Sequence, residues 1–172
     1  MRARLPLRRA EFSPCRLWRY WLEIVWDEAL PPMIAAMLNP STADEVSNDP
    51  TVERQQRRAA MLGFGRLIVV NVFGWRSTDP AGLHIASDPV GPENDLAIRR
   101  AAALASEHDG LFLCGWGTHA ERVRPGRPAE ILRIARDAGA VPHALRVNRD
   151  GSPQHPLYVG YAVAPTPMED PA

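Results

Sequence analysis

A stretch from Met37 to Thr51, MLNPSTADEVSNDPT, concentrates hydrogen-bonding side chains directly after an apolar run. A turn needs only one or two such residues, so the excess indicates a site. The proline that follows Asn39 biases this residue away from helix, and its amide can orient a water or a substrate carbonyl. The alternatives are structural: Asn39 in an Asx turn, and Asp49 as a helix cap. The candidate catalytic residues here are Asn39, Asp44 and Asp49, and the candidate binding residues are Pro40, Ser41 and Thr42.

A second candidate is Asn71, late in the apolar run LIVVNVF. A polar amide inside a buried strand must find partners. It carries both donor and acceptor, so it can pair with the amide-like edge of a nucleobase. The equally weighted alternative is an Asn bonded to neighbouring loop backbone. Phe73 and Trp75 follow closely and could stack on such a base.

The segment GWGTHA places Gly115 and Gly117 around Trp116, which suits a tight turn and close ligand approach. With Ala120 it also matches the G-x-G-x-x-A dinucleotide pattern. This match falls late in the chain, and no acid ends the following strand. We therefore predict no nicotinamide or flavin cofactor.

Two histidines, His119 and His155, are candidate acids or bases. His155 lies between Gln154 and Pro156 in a loop whose rigidity favours a catalytic imidazole. A lone loop histidine is nevertheless more often incidental. No His, Cys and Asp set has metal-ligand spacing, and we predict no metal.

The composition is that of an ordinary globular protein. The chain has 172 residues, 45% hydrophobic and 23% charged, with a formal net charge of zero. All 20 basic residues are arginine, which genomic bias explains as well as phosphate recognition does. Two distant cysteines predict no disulfide framework. No signal peptide or membrane-spanning run is seen, so we expect a cytoplasmic protein that binds no membrane.

Apolar runs alternate with amphipathic ones along the chain. We predict strands at 17–26, 33–38, 66–75, 111–117 and 142–148, and helices at 49–65, 92–110, 118–123 and 128–140. The first of these strands is expected to form an edge. The alternation predicts a three-layer α/β/α sandwich around a mainly parallel four-stranded sheet, with an N-terminal β extension. We expect a flexible basic segment at 1–15, one domain at 16–160 and a flexible tail at 161–172.

In such sheets the ligand crevice lies at the carboxyl ends of the strands. The segments that follow the strands here are NPSTAD, NVFGWRSTD, GWGTHA and NRDGSPQHP, and all are polar. We expect them to share one pocket. The candidate binding residues outside the first stretch are Asn71, Phe73, Trp75, Trp116, His119 and Asn148.

The chain from about Tyr20 to Tyr158 resembles the bacterial family called domain of unknown function 1643. The strings that carry this resemblance are MLNPSTAD, NDPTVER, GFGRLIVVNVFGWRSTDP, DPVGPEND, CGWGTHA and GSPQHPLY. The family name implies no activity.

A more distant resemblance is to the uracil-DNA glycosylase superfamily, which has a similar order of elements. MLNP is similar to the superfamily's water-orienting motif, VVNVF to its base-reading strand, LCGWGTHA to its third motif and QHPLY to its last. Two departures are clear. Met37 replaces a glycine of the first motif, and Leu157-Tyr158 replaces a Ser-Pro that acts in DNA opening.

This resemblance implies an N-glycosidase that recognises a modified or deaminated base, with DNA as the expected partner and a monomeric state. Asn39 would position the attacking water, with Asp44 or Asp49 as base. Asn71 would read the base, and His155 would stabilise the negative charge that develops on it.

Two alternatives stay open: an enzyme acting on free nucleosides or nucleotides, and a non-catalytic module that binds a modified base or nucleotide. The neutral net charge is a mild objection to DNA, because DNA binders gather cations along the phosphate path. A local patch could come from Arg54, Arg57, Arg58, Arg76, Arg146 and Arg149. Arg54, Arg57 and Arg58 lie at helix spacings that put them on one face, and the alternative is a solvated helix face, which is the commoner case.

Overall fold

The computed structural model describes residues 6–41 and 49–169. The strands are β1 (Leu7–Phe12), β2 (Arg19–Val25), β3 (Pro32–Met37), β4 (Arg66–Asn71), β5 (Leu111–Cys114), β6 (Pro142–Ala144) and β7 (Thr166–Pro167). The helices are α1 (Pro50–Met61), α2 (Gly82–Ile85), α3 (Asn94–Glu107), α4 (His119–Val123) and α5 (Arg127–Asp137), with a 3₁₀ turn at Pro156–Tyr158.

All seven strands form one mixed sheet in the order β1-β2-β4-β3-β5-β6-β7. β3 pairs in parallel with β4 and β5, and β5 pairs in parallel with β6. The remaining pairings are antiparallel. The sheet is therefore larger than the predicted four strands, because the N-terminal strands join it directly. The edge strand is β1 rather than β2, which is buried at every position.

Helices pack on both faces of this sheet, and the alternation of side chains along β3 and β4 divides the core in two. On one face Met33, Ala35, Leu67 and Val69 pack against Val52 and Ala59 of α1. On the other face, side chains of β3, β4 and β5 pack against α3, α4 and α5. The continuous apolar runs predicted as buried strands are thus explained by cover on both sides.

The start of α1 matches its sequence signals. Asp49 caps the helix, because its Oδ1 accepts a hydrogen bond from the Val52 backbone nitrogen at 2.8 Å. Pro50 occupies the first turn, and Gly63 follows the end of the helix with a φ of +89°. This cap fixes the entry of α1 next to the carboxyl end of β3.

Four other segments differ from the expected elements. The predicted strand at 142–148 is shortened to β6, because the chain turns where the Asn148 nitrogen donates to the Ser152 carbonyl at 2.8 Å. The stretch between the predicted strand at 66–75 and the predicted helix at 92–110 contains the short helix α2. β1 and β7 lie within the segments that we expected to be flexible. The proposed domain boundaries stay a prediction.

Within the described ranges, no helix combines the length and apolar character that crossing a bilayer requires.

Candidate functional site

A cavity of about 580 Å³ lies at the carboxyl ends of β3, β4 and β5. Its walls come from the segments that follow these strands, from the start of α1 and from the loop after β6. Seven of the candidate residues line it: Asn39, Ser41, Asp49, Asn71, Trp116, His119 and His155. The expectation that the polar segments after the strands share a pocket therefore agrees with their placement.

Asn71 ends β4 on the same face as Leu67 and Val69, and its side chain is only 1% exposed. Its Oδ1 and its Nδ2 have no hydrogen-bond partner among the described residues. The loop-backbone alternative is therefore not realised by these residues. A buried amide with two unpaired polar atoms is costly to the fold, which points to a role in binding.

Asn39 follows β3 and holds two loops together. Its Nδ2 donates to the Ser77 carbonyl at 2.9 Å and to the Pro40 carbonyl at 3.1 Å. These bonds fix the orientation of the amide, so that Oδ1 is the acceptor it offers. Asn39 can therefore serve the fold and a ligand at the same time. Its Nδ2 is held by the two carbonyls, and its Oδ1 stays as a positioned acceptor at the cavity.

The carboxylate of Asp49 is fully engaged by two donors. Its Oδ1 accepts from the Val52 nitrogen, and its Oδ2 accepts from Ser41 Oγ at 3.0 Å. Capping is thus a role that Asp49 performs in the fold. It leaves the carboxylate positioned at the cavity wall.

His155 caps the 3₁₀ turn that closes the cavity. Its Nδ1 accepts a hydrogen bond from the Leu157 nitrogen at 3.2 Å. Burial lowers the pKa of His155, and the carboxylate of Asp49 opposes this shift without cancelling it. At neutral pH the ring is uncharged, and with Nδ1 as acceptor its proton lies on Nε2. His155 is therefore a neutral hydrogen-bond donor.

The lowered pKa of His155 predicts a pH dependence of stability. The unfolded chain takes up a proton near pH 6.5, whereas the folded ring resists it, so the free energy of unfolding should fall as pH drops below 6.5. His155→Gln should make this fall shallower. Urea unfolding at pH 8, 6.5 and 5.5 measures the free energy of unfolding of both proteins. Equal pH profiles for the variant and the wild type would show that His155 does not cause the pH dependence.

The turn after β5 needs both of its glycines. A Cβ on Gly115 would lie 2.6 Å from Pro156 Cδ, and Gly117 has a φ of +73°. The Gly117 nitrogen donates to the Pro153 carbonyl at 2.9 Å. This close approach places Trp116, which is buried with its Nε1 unpaired among the described residues, beside the loop of His155.

His119 begins α4 and contacts a second histidine, His84. Its Nε2 lies 3.2 Å from Nε2 of His84, which α2 carries. Burial lowers the pKa of His119, and His84 adds to this shift. The contact joins residues 35 positions apart, so no local spacing indicates it.

Four candidate residues lie outside the cavity wall. Phe73 is fully buried in the core on the α3 face, and Trp75 packs edge-on against Trp18 with ring centroids 5.6 Å apart. Asn148 stabilises its own turn by donating to Ser152 Oγ at 3.0 Å. Phe73 and Trp75 do not line the cavity, so neither ring is placed to stack on a ligand there. Pro40 is buried and contributes its carbonyl, and Thr42 and Asp44 fall outside the described residues.

Arg19 lines the cavity although no sequence pattern singled it out. The register between β1 and β2 shifts between Glu11 and Phe12, so that Tyr20 has no partner on β1. Such a bulge re-aims the neighbouring side chains, here that of Arg19. Burial lowers the pKa of Arg19 to about 10, and Asp49 opposes the shift. The arginine remains charged at neutral pH.

Two arginines of the predicted patch face inward. Arg58 Nη2 donates to the Val159 carbonyl at 2.8 Å, and Arg54 Nη2 donates to the same carbonyl at 3.0 Å. Both guanidinium groups also stack on Tyr161. These contacts attach the segment after His155 to α1. The patch hypothesis is therefore wrong for Arg54 and Arg58.

We expect Arg58→Met to lower the free energy of unfolding by about 2–4 kcal/mol. The variant loses charge-assisted hydrogen bonds to the Val159 and Gly160 carbonyls. The matched control is Arg57→Met on the exposed face of the same helix, expected within about 0.5 kcal/mol of wild type. Chemical denaturation measures both, and equal losses would show that the contacts of Arg58 are not stabilising.

Among the residues that the structure describes, no group of three or more His, Cys, Asp or Glu side chains is arranged to hold a metal ion.

Comparison with known proteins gave one finding. The family model described as Protein of unknown function (DUF1643) matches residues 19–157. Searches of the curated proteins and of the solved structures returned no match. The predicted family membership is confirmed.

Proposed function

Because the chain belongs to the DUF1643 family, whose description assigns no activity, we propose its function from the cavity. The proposal is an N-glycosidase that recognises a modified or deaminated nucleobase in DNA. The observation that carries it is Asn71, whose buried amide leaves a donor and an acceptor unpaired at the cavity.

An amide pairs best with a group that offers one acceptor beside one donor. Deaminated bases such as uracil and hypoxanthine present a carbonyl oxygen next to a ring N–H. A base in the cavity would satisfy both atoms of Asn71 and so recover the free energy that their burial costs. A base that lacks this pair would leave the amide unpaired and be rejected.

Base release requires a water that attacks the sugar carbon while the bond to the base nitrogen breaks. Asn39 Oδ1 accepts a hydrogen bond from this water and orients it, because the amide is already anchored through Nδ2. Asp49 supplies negative charge nearby for the developing positive charge on the sugar. The electron pair of the broken bond moves onto the base, and the proton that the attacking water loses passes to the Asp49 carboxylate.

His155 also lines the cavity and completes this arrangement. A neutral imidazole that donates a hydrogen bond from Nε2 stabilises the negative charge that develops on the departing base. The lowered pKa of His155 favours this neutral form at pH 7.

The uracil-DNA-glycosylase-like assignment of the fold is part of the proposal. It is supported by the places of the four motifs: Asn39 after β3, Asn71 at the end of β4, the Gly-Trp-Gly turn after β5 and His155 in the loop after β6. These are the positions that the resemblance implies for the water, base and leaving-group motifs.

Two other functions use the same cavity. An enzyme on free nucleosides or nucleotides is favoured by the inward placement of Arg54 and Arg58, which removes two cations from a phosphate path. A non-catalytic module that binds a modified base is favoured by Asp49, because both of its oxygens are already engaged.

A base-release assay tests the proposal. Purified protein is incubated with labelled oligonucleotides that carry uracil, hypoxanthine, or methylated, hydroxymethylated or glucosylated bases, and alkali then cleaves at abasic sites. The proposal predicts cleavage for one base class. Release from the nucleoside or nucleotide alone would support the first alternative, and binding without any release would support the second.

A further inference from the structure

His84 and His119 form a close pair beside the cavity, whose wall includes His119. Nε2 of His84 and Nε2 of His119 lie 3.2 Å apart, at the long limit for an N–H donor. The rings are nearly perpendicular, with centroids 5.1 Å apart. A straight hydrogen bond along both ring axes would separate the centroids by about 5.5 Å, since each nitrogen lies about 1.15 Å from its centroid. The observed separation is shorter, so at least one ring axis is inclined to the line that joins the two nitrogens.

A metal ion bound by both nitrogens fits these two distances. Two Zn–N bonds of about 2.05 Å across a 3.2 Å gap make an angle of about 103° at the metal, close to tetrahedral. The same construction places the ring centroids about 5.0 Å apart, and the observed separation is 5.1 Å. We propose that His84 and His119 form a binding site for one divalent transition-metal ion, of which Zn²⁺ is the first candidate.

The surroundings of His119 favour this site. The Pro80 carbonyl accepts a hydrogen bond from the His119 ring. In the proposed site it accepts from Nδ1, which leaves the Nε2 lone pair for the metal. A backbone carbonyl in this position is the usual partner of a ligating histidine, because it fixes the tautomer and the ring orientation.

The site is open. No third His, Cys, Asp or Glu among the described residues completes it, so water or a ligand fills the remaining positions. His119 lines the cavity, and these positions therefore adjoin it. The two ligands belong to the segments after β4 and after β5, so a bound ion would join two walls of the cavity. This inference does not depend on the proposed glycosidase activity.

Calorimetric titration of the tag-free full chain with Zn²⁺ tests the site. The wild type should bind one ion per chain, and His84→Gln and His119→Gln should each weaken binding by more than about tenfold. Glutamine keeps a hydrogen-bonding side chain but ligates zinc poorly, so it separates a metal site from a histidine pair. His108→Gln is the control, because His108 is exposed at the end of α3, away from the cavity.

Electron paramagnetic resonance provides a second test, because it reports how many imidazole nitrogens bind the metal ion. The Cu²⁺-loaded wild type should give an electron paramagnetic resonance spectrum with coupling to two imidazole nitrogens, and each variant should lose one. No saturable Zn²⁺ binding by the wild type, or wild-type affinity in either His84→Gln or His119→Gln, would overturn the proposal. Circular dichroism in the absence of metal verifies that the variants are folded.

Discussion

Asn71→Leu should stabilise the protein while removing its ability to bind a base. The substitution replaces an amide whose two polar atoms are buried and unpaired among the described residues with an apolar group of similar size. Burying an unsatisfied polar group costs about 1–3 kcal/mol, so the free energy of unfolding should rise by an amount in that range. Thermal and urea unfolding measure this directly, without knowledge of the ligand.

The matched control is Asn94→Leu. Asn94 is also fully buried, but its Nδ2 donates to the Asn71 carbonyl at 2.9 Å and to the Val72 carbonyl at 3.3 Å. Its loss should lower the free energy of unfolding by about 1–3 kcal/mol. The two buried asparagines should thus respond with opposite signs. A loss of stability in Asn71→Leu as large as that in Asn94→Leu would mean that Asn71 serves the fold.

The same substitution should weaken binding of the recognised base by about 10- to 100-fold, because a bidentate pairing with a base edge contributes about 1–3 kcal/mol. A gain in stability coupled to a loss of binding is the signature of a residue kept for function. Calorimetric titration with the base that the release assay identifies measures this change. Unchanged affinity would contradict the assignment of Asn71.

Asn39→Ala should lower the rate of base release by about 100-fold or more, the scale on which positioned water and proton-transfer groups act. The variant loses the acceptor for the water and also the donors that hold the Pro40 and Ser77 carbonyls. Single-turnover cleavage of the modified oligonucleotide measures the rate without interference from product release.

Asn148→Ala provides the comparison for Asn39. Asn148 donates to Ser152 within its own turn and lies outside the cavity wall, so its removal should leave the rate near that of the wild type. Equal rate losses in the two variants would indicate a general effect on folding, and an unchanged rate in Asn39→Ala would rule out its role in positioning water.

Asn39→Asp tests the orientation of the Asn39 amide. Both carbonyls that now accept from Nδ2 would face a carboxylate oxygen, so the variant should lose about 1–3 kcal/mol of stability at pH 8. The loss should be smaller at pH 5, where a protonated carboxyl can donate one hydrogen bond. Denaturation at the two pH values measures the difference, and equal losses would contradict the orientation of the Asn39 amide.

Much of the site follows from the order of elements along the chain. The apolar runs that became β3, β4 and β5 each lead into a polar segment, and parallel strands bring such segments together at one end. The cap at Asp49 was equally local, because Asp-Pro before a helical run has a known geometry. These features depend on neighbours in sequence, which a single chain displays.

The features that were missed depend on contacts across the fold. Phe73 was expected at the site, but β4 ends at Asn71 and the side chain then turns into the core on the opposite face. Arg19 reaches the cavity because of a bulge in β2, and bulges leave little trace in an apolar sequence. The pairing of His84 with His119 arises only when two loops meet.

The central claim is that Asn71 reads a base inside this cavity, and the amide signals of its own side chain report on it. Nuclear magnetic resonance spectra of ¹⁵N-labelled protein, with the Asn71 signals assigned by their absence in Asn71→Leu, should be recorded during titration with uracil and with hypoxanthine. The account predicts that the recognised base shifts the Asn71 side-chain signals and leaves those of Asn148 in place. Saturable binding of a base that leaves the Asn71 signals unmoved would contradict it.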